Sequence, residues 1–239
     1  MKDRNQFDKV DRQTVMIVGA SRGIGLECVK QYSHQGHNVI ATYRNLDKSP
    51  DLQATANQYK NVTLEPLDIT EETAVKTLSE SMNGAIDTLI INAGVGSQER
   101  TLNETSSSEM LRLFKTNALG HFLIAKYFVN HVAKSERKQI VSLSSRMGSI
   151  ADNMSGAAYA YRASKSAVNA IMKSLAYDVS QLGIHVLIFH PGWVKTDFTH
   201  GAGNLTVTES VQRLQKAINR ARDYDSGCFL SHDGSVLPW

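Results

Sequence analysis

Tyr161 and Lys165 stand four residues apart in the segment Tyr161-Arg162-Ala163-Ser164-Lys165. On a helix that spacing puts both on one face, so both can reach a single site. A tyrosine hydroxyl ordinarily titrates near pH ~10. A neighbouring ammonium favours the phenolate and lowers that value, which lets the hydroxyl exchange protons near neutral pH. Upstream, Ser144 and Ser145 close an apolar run of strand length. A serine hydroxyl at the end of such a strand can hydrogen-bond a substrate oxygen, and one of the two should face that way.

A second feature is built for an anion. After an apolar run come Gly19-Ala20-Ser21-Arg22-Gly23-Ile24-Gly25 and then a helical pattern. Glycines at this spacing let the backbone turn tightly and approach a pyrophosphate, with the helix N-terminus facing it. A glycine cluster alone is a weak signal; following a strand and opening a helix, it gains the context of a dinucleotide site. The end of the next strand discriminates between dinucleotides. An acid there bonds a ribose hydroxyl and repels a 2′-phosphate. This chain has Tyr43-Arg44-Asn45, with no acid. Arg44, helped by Arg22 of the glycine turn, can pair with a 2′-phosphate, which favours NADP(H).

The elements that must position these residues follow from hydropathy. Apolar, β-branched runs recur at 14–18, 38–43, 62–66, 88–91, 139–143 and 184–189, with a weaker one at 228–230. Helical periodicity fills 24–35, 52–59, 71–82, 108–133 and 161–182. Alternation of this kind predicts βαβ units. The expected fold is a single α/β domain: a doubly wound, seven-stranded parallel sheet with helices on both faces. Residues 14–239 form it, and 1–13 read as a flexible lead-in. Residues 197–208, with Gly201, Gly203 and Asn204, read as a mobile loop over the strand ends.

Composition narrows the class. The 239 residues are 41% hydrophobic and 21% charged, as in ordinary globular domains. Lys and Arg number 26 against 23 Asp and Glu, a net +3 with no long basic run, so neither nucleic acid nor an anionic membrane is implied. No apolar stretch is long enough to span a bilayer, and the polar start lacks a secretory signal's apolar core. Cys28 and Cys228 form neither a disulfide framework nor a metal pattern. A cytoplasmic protein without bound metal is expected.

Taken together, these pieces resemble the short-chain dehydrogenase/reductase superfamily, and within it the carbonyl-reductase branch with sniffer-like and C-factor-like proteins. The likeness runs from about Val15 to Trp239. It rests on the glycine turn, Leu67-Asp68-Ile69, Asn92-Ala93-Gly94, Asn117, Ser145, Tyr161 with Lys165, and Pro191-Gly192-Trp193-Val194-Lys195-Thr196. The resemblance implies that Tyr161 is the acid of reduction. Lys165 would lower its pKa and hold the nicotinamide ribose. Ser145, three residues before Gly148, would polarise the carbonyl, and Asn117 would support a proton relay. It implies cofactor contacts from Gly19, Ser21, Arg22, Gly23, Ile24, Gly25, Arg44, Asp68, Ile69, Asn92, Ala93, Gly94, Tyr161, Lys165, Pro191, Gly192, Val194 and Thr196. Two positions depart from or lie outside the pattern: Val18 stands where a threonine is usual, and Arg162 occupies a variable place.

The expected activity is NADP(H)-dependent interconversion of carbonyls and alcohols on small substrates, with Met147, Met154, Trp193 and Phe198 as an apolar lining. The helices 108–133 and 161–182 are those through which the family pairs, so a homodimer is expected. A regulatory protein that binds the dinucleotide and acts through a partner, as C-factor-like relatives suggest, is the alternative. A pure sensor has no need of Ser145, Tyr161 and Lys165 together.

Overall fold

The computed structural model describes residues 12–239; residues 1–11, most of the expected lead-in, lie outside the described residues. Gln13, also assigned to that lead-in, is tied to the sheet: its carbonyl accepts from the Asn38 amide at 2.8 Å.

Seven strands form one parallel sheet in the order β3-β2-β1-β4-β5-β6-β7. They are β1 (Thr14–Val18), β2 (Asn38–Tyr43), β3 (Val62–Pro66), β4 (Thr88–Ile91), β5 (Gln139–Leu143), β6 (His185–His190) and β7 (Cys228–Ser231). The chain reverses its direction of travel across the sheet between β1 and β4. That switch point opens a crevice beyond the carboxyl ends of the strands, where such folds take ligands.

Unbroken apolar strands make sense because the sheet is covered on both faces. Met16, Val18, Leu89, Ile91, Val186 and Ile188 pack on one side with Val75, Phe128 and Met172. Those partners come from α3 (Glu72–Ser81), α5 (Gly120–Ala133) and α6 (Tyr159–Asp178). Val15, Ile17, Ile90, Leu187 and Phe189 point the other way, onto α1 (Gly23–His34), α2 (Pro50–Gln58) and α7 (Val207–Asn219). Each fully buried aliphatic or aromatic side chain in these layers contributes about 1.5–3 kcal/mol.

Two expected elements differ in detail. The helix expected over 108–133 consists of α4 (Ser107–Phe114) and α5, joined by one π turn at Lys115–Leu119. Gly120, just after it, packs so closely that a Cβ would press on Ile69, and Asn117 within it turns its side chain to another loop. Single π turns of this kind are frequent at functional sites. The second difference is at 197–208. This stretch is knitted rather than loose: Thr196 and Thr199 cap a 3-10 turn at Asp197–Thr199, and Val194 bridges Leu205. Thr206 and Glu209 then form a capping box that starts α7.

Candidate functional site

Gly19, at φ +85°, turns the chain out of β1 so tightly that a Cβ would lie 2.7 Å from the Cα of Ala93. Asn92 braces the turn by donating from Nδ2 to the Gly19 carbonyl at 2.6 Å, and the Gly19 amide donates to Thr42 Oγ1 at 3.1 Å. A Cβ on Gly25 would overlap that same carbonyl of Gly19, so only glycine lets α1 start this close to the strand. The N-cap residue Arg22 is extended, and no side chain caps the helix. The first amides of a helix lack intrahelical partners. An uncapped N-terminus beside a tight glycine turn therefore fits a pyrophosphate. Thr196 faces this turn: its Cγ2 lies 3.6 Å from where a Cβ of Gly23 would stand.

Arg22 and Arg44 are both exposed, Arg22 within the glycine turn and Arg44 directly after β2. Asp68 accepts from the amide and hydroxyl of Thr70 at 2.9 and 2.8 Å, which shapes the turn after β3. Ile69 beside it is buried against Gly120. Pro191 and Gly192 follow β6, and Pro191 O accepts from Ser210 Oγ at 2.6 Å. Gly94 is exposed, directly after the buried end of β4.

The other group of side chains gathers at the ends of β4 and β5 and the start of α6. The two serines part company. Ser144 turns inward, donating to Asn169 Oδ1 at 2.5 Å, whereas Ser145 caps a 3-10 turn and is hydrogen-bonded to Tyr161. Lys165 is only 4% exposed and donates to the Leu143 carbonyl at 3.0 Å. Its Nζ lies 6.0 Å from the centre of the Tyr161 ring. Asn117 reaches back to Val95 with both ends of its amide and also donates to Ser164 Oγ at 3.0 Å. The ring of Phe198 rests against Tyr161, 5.8 Å between centroids, and its edge lies over Gly96.

The electrostatics differ from the sequence-based expectation for Tyr161. Burial pushes its hydroxyl up to about 12, and the Ser145 hydrogen bond lowers it only in part. The Lys165 ammonium is directed at Leu143 O, and its charge does not offset that burial. Burial in turn pulls Lys165 down to about 8.

One residue of the neighbourhood escaped the sequence reading. His121, fully buried on α5, spans Ser142 Oγ at 2.9 Å and the Ala93 carbonyl at 2.7 Å. Burial first, then the Lys165 charge, pushes it down to about 3. A neutral ring is thus locked beneath the Asn92-Ala93-Gly94 segment. Its only trace in the sequence is a histidine in an apolar stretch, a pattern that ordinary core histidines share.

The family model described as short chain dehydrogenase matches residues 13–204. The chain belongs to the short chain dehydrogenase family. It is 34% identical over 156 residues to C-signal of Myxococcus xanthus, covering 65% of this chain and 94% of that protein. It superposes on the carbonyl reductase Sniffer of D. melanogaster with a TM-score of 0.89 at 29% identity, covering 95% of this chain and all of that one. It also superposes on an NADPH-bound carbonyl reductase from chicken fatty liver, with a TM-score of 0.88 at 29% identity, over 95% and 99% of the two chains. The doubly wound sheet expected from sequence is therefore both seen in the chain and shared with these structures. Among the described residues no helix is long and apolar enough to cross a membrane, and no group of three or more potential ligands could hold a metal.

Proposed function

We propose that this short-chain oxidoreductase reduces aldehyde and ketone carbonyls of small substrates, using NADP(H). The observation that carries the reading is the convergence of Ser145, Tyr161 and Lys165 beside the glycine turn. The glycine turn and the uncapped α1 would hold the pyrophosphate. Arg22 and Arg44 would take the 2′-phosphate, with Asp68, Ile69 and the Asn92-Ala93-Gly94 segment along the adenosine. Pro191, Gly192, Val194 and Thr196 would lie along the nicotinamide. The cofactor supplies the hydride; everything else falls to the protein.

Ser145 donates a hydrogen bond to the carbonyl oxygen and orients it. Tyr161, held neutral at pH 7 by burial, gives its proton to that oxygen as negative charge develops there. Lys165 is an ammonium below about pH 8, and its charge favours the phenolate left behind. Asn117 holds the Val95 loop against α6 and so keeps this arrangement together. Phe198, with Met147, Met154 and Trp193, gives the approach an apolar border suited to carbonyls on an apolar body.

A screen of NADPH and NADH oxidation against aldehydes, quinones and diketones tests the reading. Turnover with NADPH is the expected result. Tight NADPH binding with no turnover across the panel would favour a regulatory role instead.

The same reading extends to assembly. Leu111, Phe114 and Phe122 are exposed on α4 and α5, and a groove of about 320 Å³ runs between α5 and α6. We read this face as the surface of a homodimer, which sedimentation of the free protein checks.

A further inference from the structure

Between Ser145 and Tyr161 the backbone passes through Gly156, Ala157 and Ala158, all in the left-handed region at φ +61°, +55° and +50°. A left-handed alanine is strained because its Cβ crowds the following carbonyl oxygen. Two in succession persist only where the surroundings hold them. Ala158 is also the N-cap of α6, a position that is ordinarily extended. At Gly156 a Cβ would meet nothing within 4 Å, so the position demands the conformation and not the space.

The side chain that holds this turn is Arg162. Its Nε donates to the carbonyls of Gly156 at 3.0 Å and Ala157 at 3.2 Å, and a terminal nitrogen donates to Ser155 Oγ at 2.9 Å. Other bonds pin the turn from outside. The Ala158 amide donates to the Arg100 carbonyl at 2.6 Å, and the Gly156 amide donates to Asn153 Oδ1 at 3.0 Å. The Arg162 amide itself closes the first turn of α6 on the Ala158 carbonyl at 2.9 Å. One residue thus grips the strained turn by its side chain and the catalytic helix by its backbone, directly after Tyr161.

We infer that Arg162 is a positioning residue for the reduction: it holds the left-handed turn 156–158 and so fixes where Tyr161 stands relative to Ser145. The inference rests on the reductase reading above. Without the guanidinium, Ala157 and Ala158 relax toward extended angles, and the chain enters α6 along a different line. A displacement of about 1 Å at a reacting group is enough to cost on the order of 10²-fold in rate. Lysine cannot replace the fork, since a single ammonium does not span two carbonyls and a hydroxyl in one plane.

The test compares Arg162→Gln with the same change in an Ala157→Gly/Ala158→Gly background. Arg162→Gln is expected to lower kcat on a reactive dicarbonyl by on the order of tenfold or more. NADPH affinity, set at the other side of the crevice, should be unchanged. Hydrogen exchange over 153–162 should quicken. Glycine takes left-handed angles without strain, so the glycine pair should restore most of the lost rate. A residue that touched substrate would not be rescued in this way. Arg162→Lys keeps the charge and serves if the glutamine variant folds poorly; it should show a smaller loss of the same kind. Wild-type kcat and exchange in Arg162→Gln would overturn the inference, as would a rate loss that the glycine pair leaves in place. A wild-type protein that reduces nothing overturns the reductase reading, while the exchange rates still decide whether Arg162 holds the turn.

Discussion

Asn117 exchanges two hydrogen bonds with the backbone of Val95: Oδ1 accepts from its amide at 2.8 Å, and Nδ2 donates to its carbonyl at 2.9 Å. Nδ2 also donates to Ser164 Oγ, so one fully buried amide joins the loop after β4, the π turn and α6. Asn117→Leu leaves the half-buried amide and carbonyl of Val95 unpaired, and a fully buried group left so would cost about 1–3 kcal/mol. Urea unfolding should show a loss of that order with an unchanged slope, together with reduced turnover. An unchanged midpoint would mean that the loop finds other partners.

Lys165 gives a pH signature to stability. Burial holds it at about 8 in the folded protein, against an ordinary 10.5. Between those values the unfolded chain carries a proton at this site that the folded chain does not, so the contribution of Lys165 to stability rises with pH across that window. The full effect is up to about 3 kcal/mol. Burial pushes the Cys28 and Cys228 thiols up to about 12 and about 11, so they work the other way above pH 9, but equally in wild type and in a Lys165 variant. Lys165→Met should therefore be more stable than the wild type at pH 7 in the absence of cofactor, with the gap closing by about pH 10.5. Thermal unfolding of both proteins across pH 7–10.5 measures this, and parallel curves would refute it.

Tyr161 and Lys165 should part in kinetics. Tyr161→Phe removes one hydroxyl and little volume, and touches neither the glycine turn nor Arg44. Turnover should fall on the order of 10²-fold or more, with NADPH affinity retained. Lys165→Met should lose both rate and affinity, since its ammonium is proposed to hold the ribose. Steady-state reduction of a dicarbonyl alongside NADPH titration separates the two. Full activity in Tyr161→Phe would remove the proposed acid.

The strands were legible because a sheet covered on both faces writes itself as unbroken apolar runs such as Val15–Val18. The glycine turn was legible because close approach admits no other residue at Gly19 and Gly25. What stayed hidden depends on contacts made across the fold. The π turn at Lys115–Leu119 interrupts no hydrophobic period; it is drawn out by Asn117 meeting Val95, 22 residues away. The segment 197–208 is glycine-rich, yet backbone bonds between Trp193 and both Asn204 and Leu205 fasten it. Ala157 and Ala158 carry no sign of left-handed angles, since alanine is an ordinary helix former and the guanidinium that holds them lies on the next element. The tyrosine pKa ran opposite to the expectation because spacing reports proximity to Lys165, whereas burial acts on Tyr161 whatever its neighbours are.

We propose that cofactor choice is decided at the exposed end of β2. Tyr43-Arg44-Asn45 presents no carboxylate where one would bond a ribose hydroxyl, and Arg44 stands free in solvent with Arg22 across the glycine turn. A guanidinium offers a planar pair of donors that fits phosphate oxygens, and a charged contact of that kind contributes about 1.5–3 kcal/mol. NADPH should therefore bind more tightly than NADH, and the margin should shrink as salt rises, because both arginines are exposed to counterions. Arg44→Asp reverses the charge at the same place. It should weaken NADPH strongly by repelling the 2′-phosphate, and leave NADH little changed or improved by a new acceptor for the ribose hydroxyl. Arg22→Ala should weaken NADPH less, since Arg44 still meets the phosphate. Fluorescence titration of both dinucleotides against the three proteins at low and high salt measures these shifts. Equal affinity of the unmodified protein for NADPH and NADH, or an Arg44→Asp variant that loses both alike, would show that the arginines serve the surface and not the phosphate.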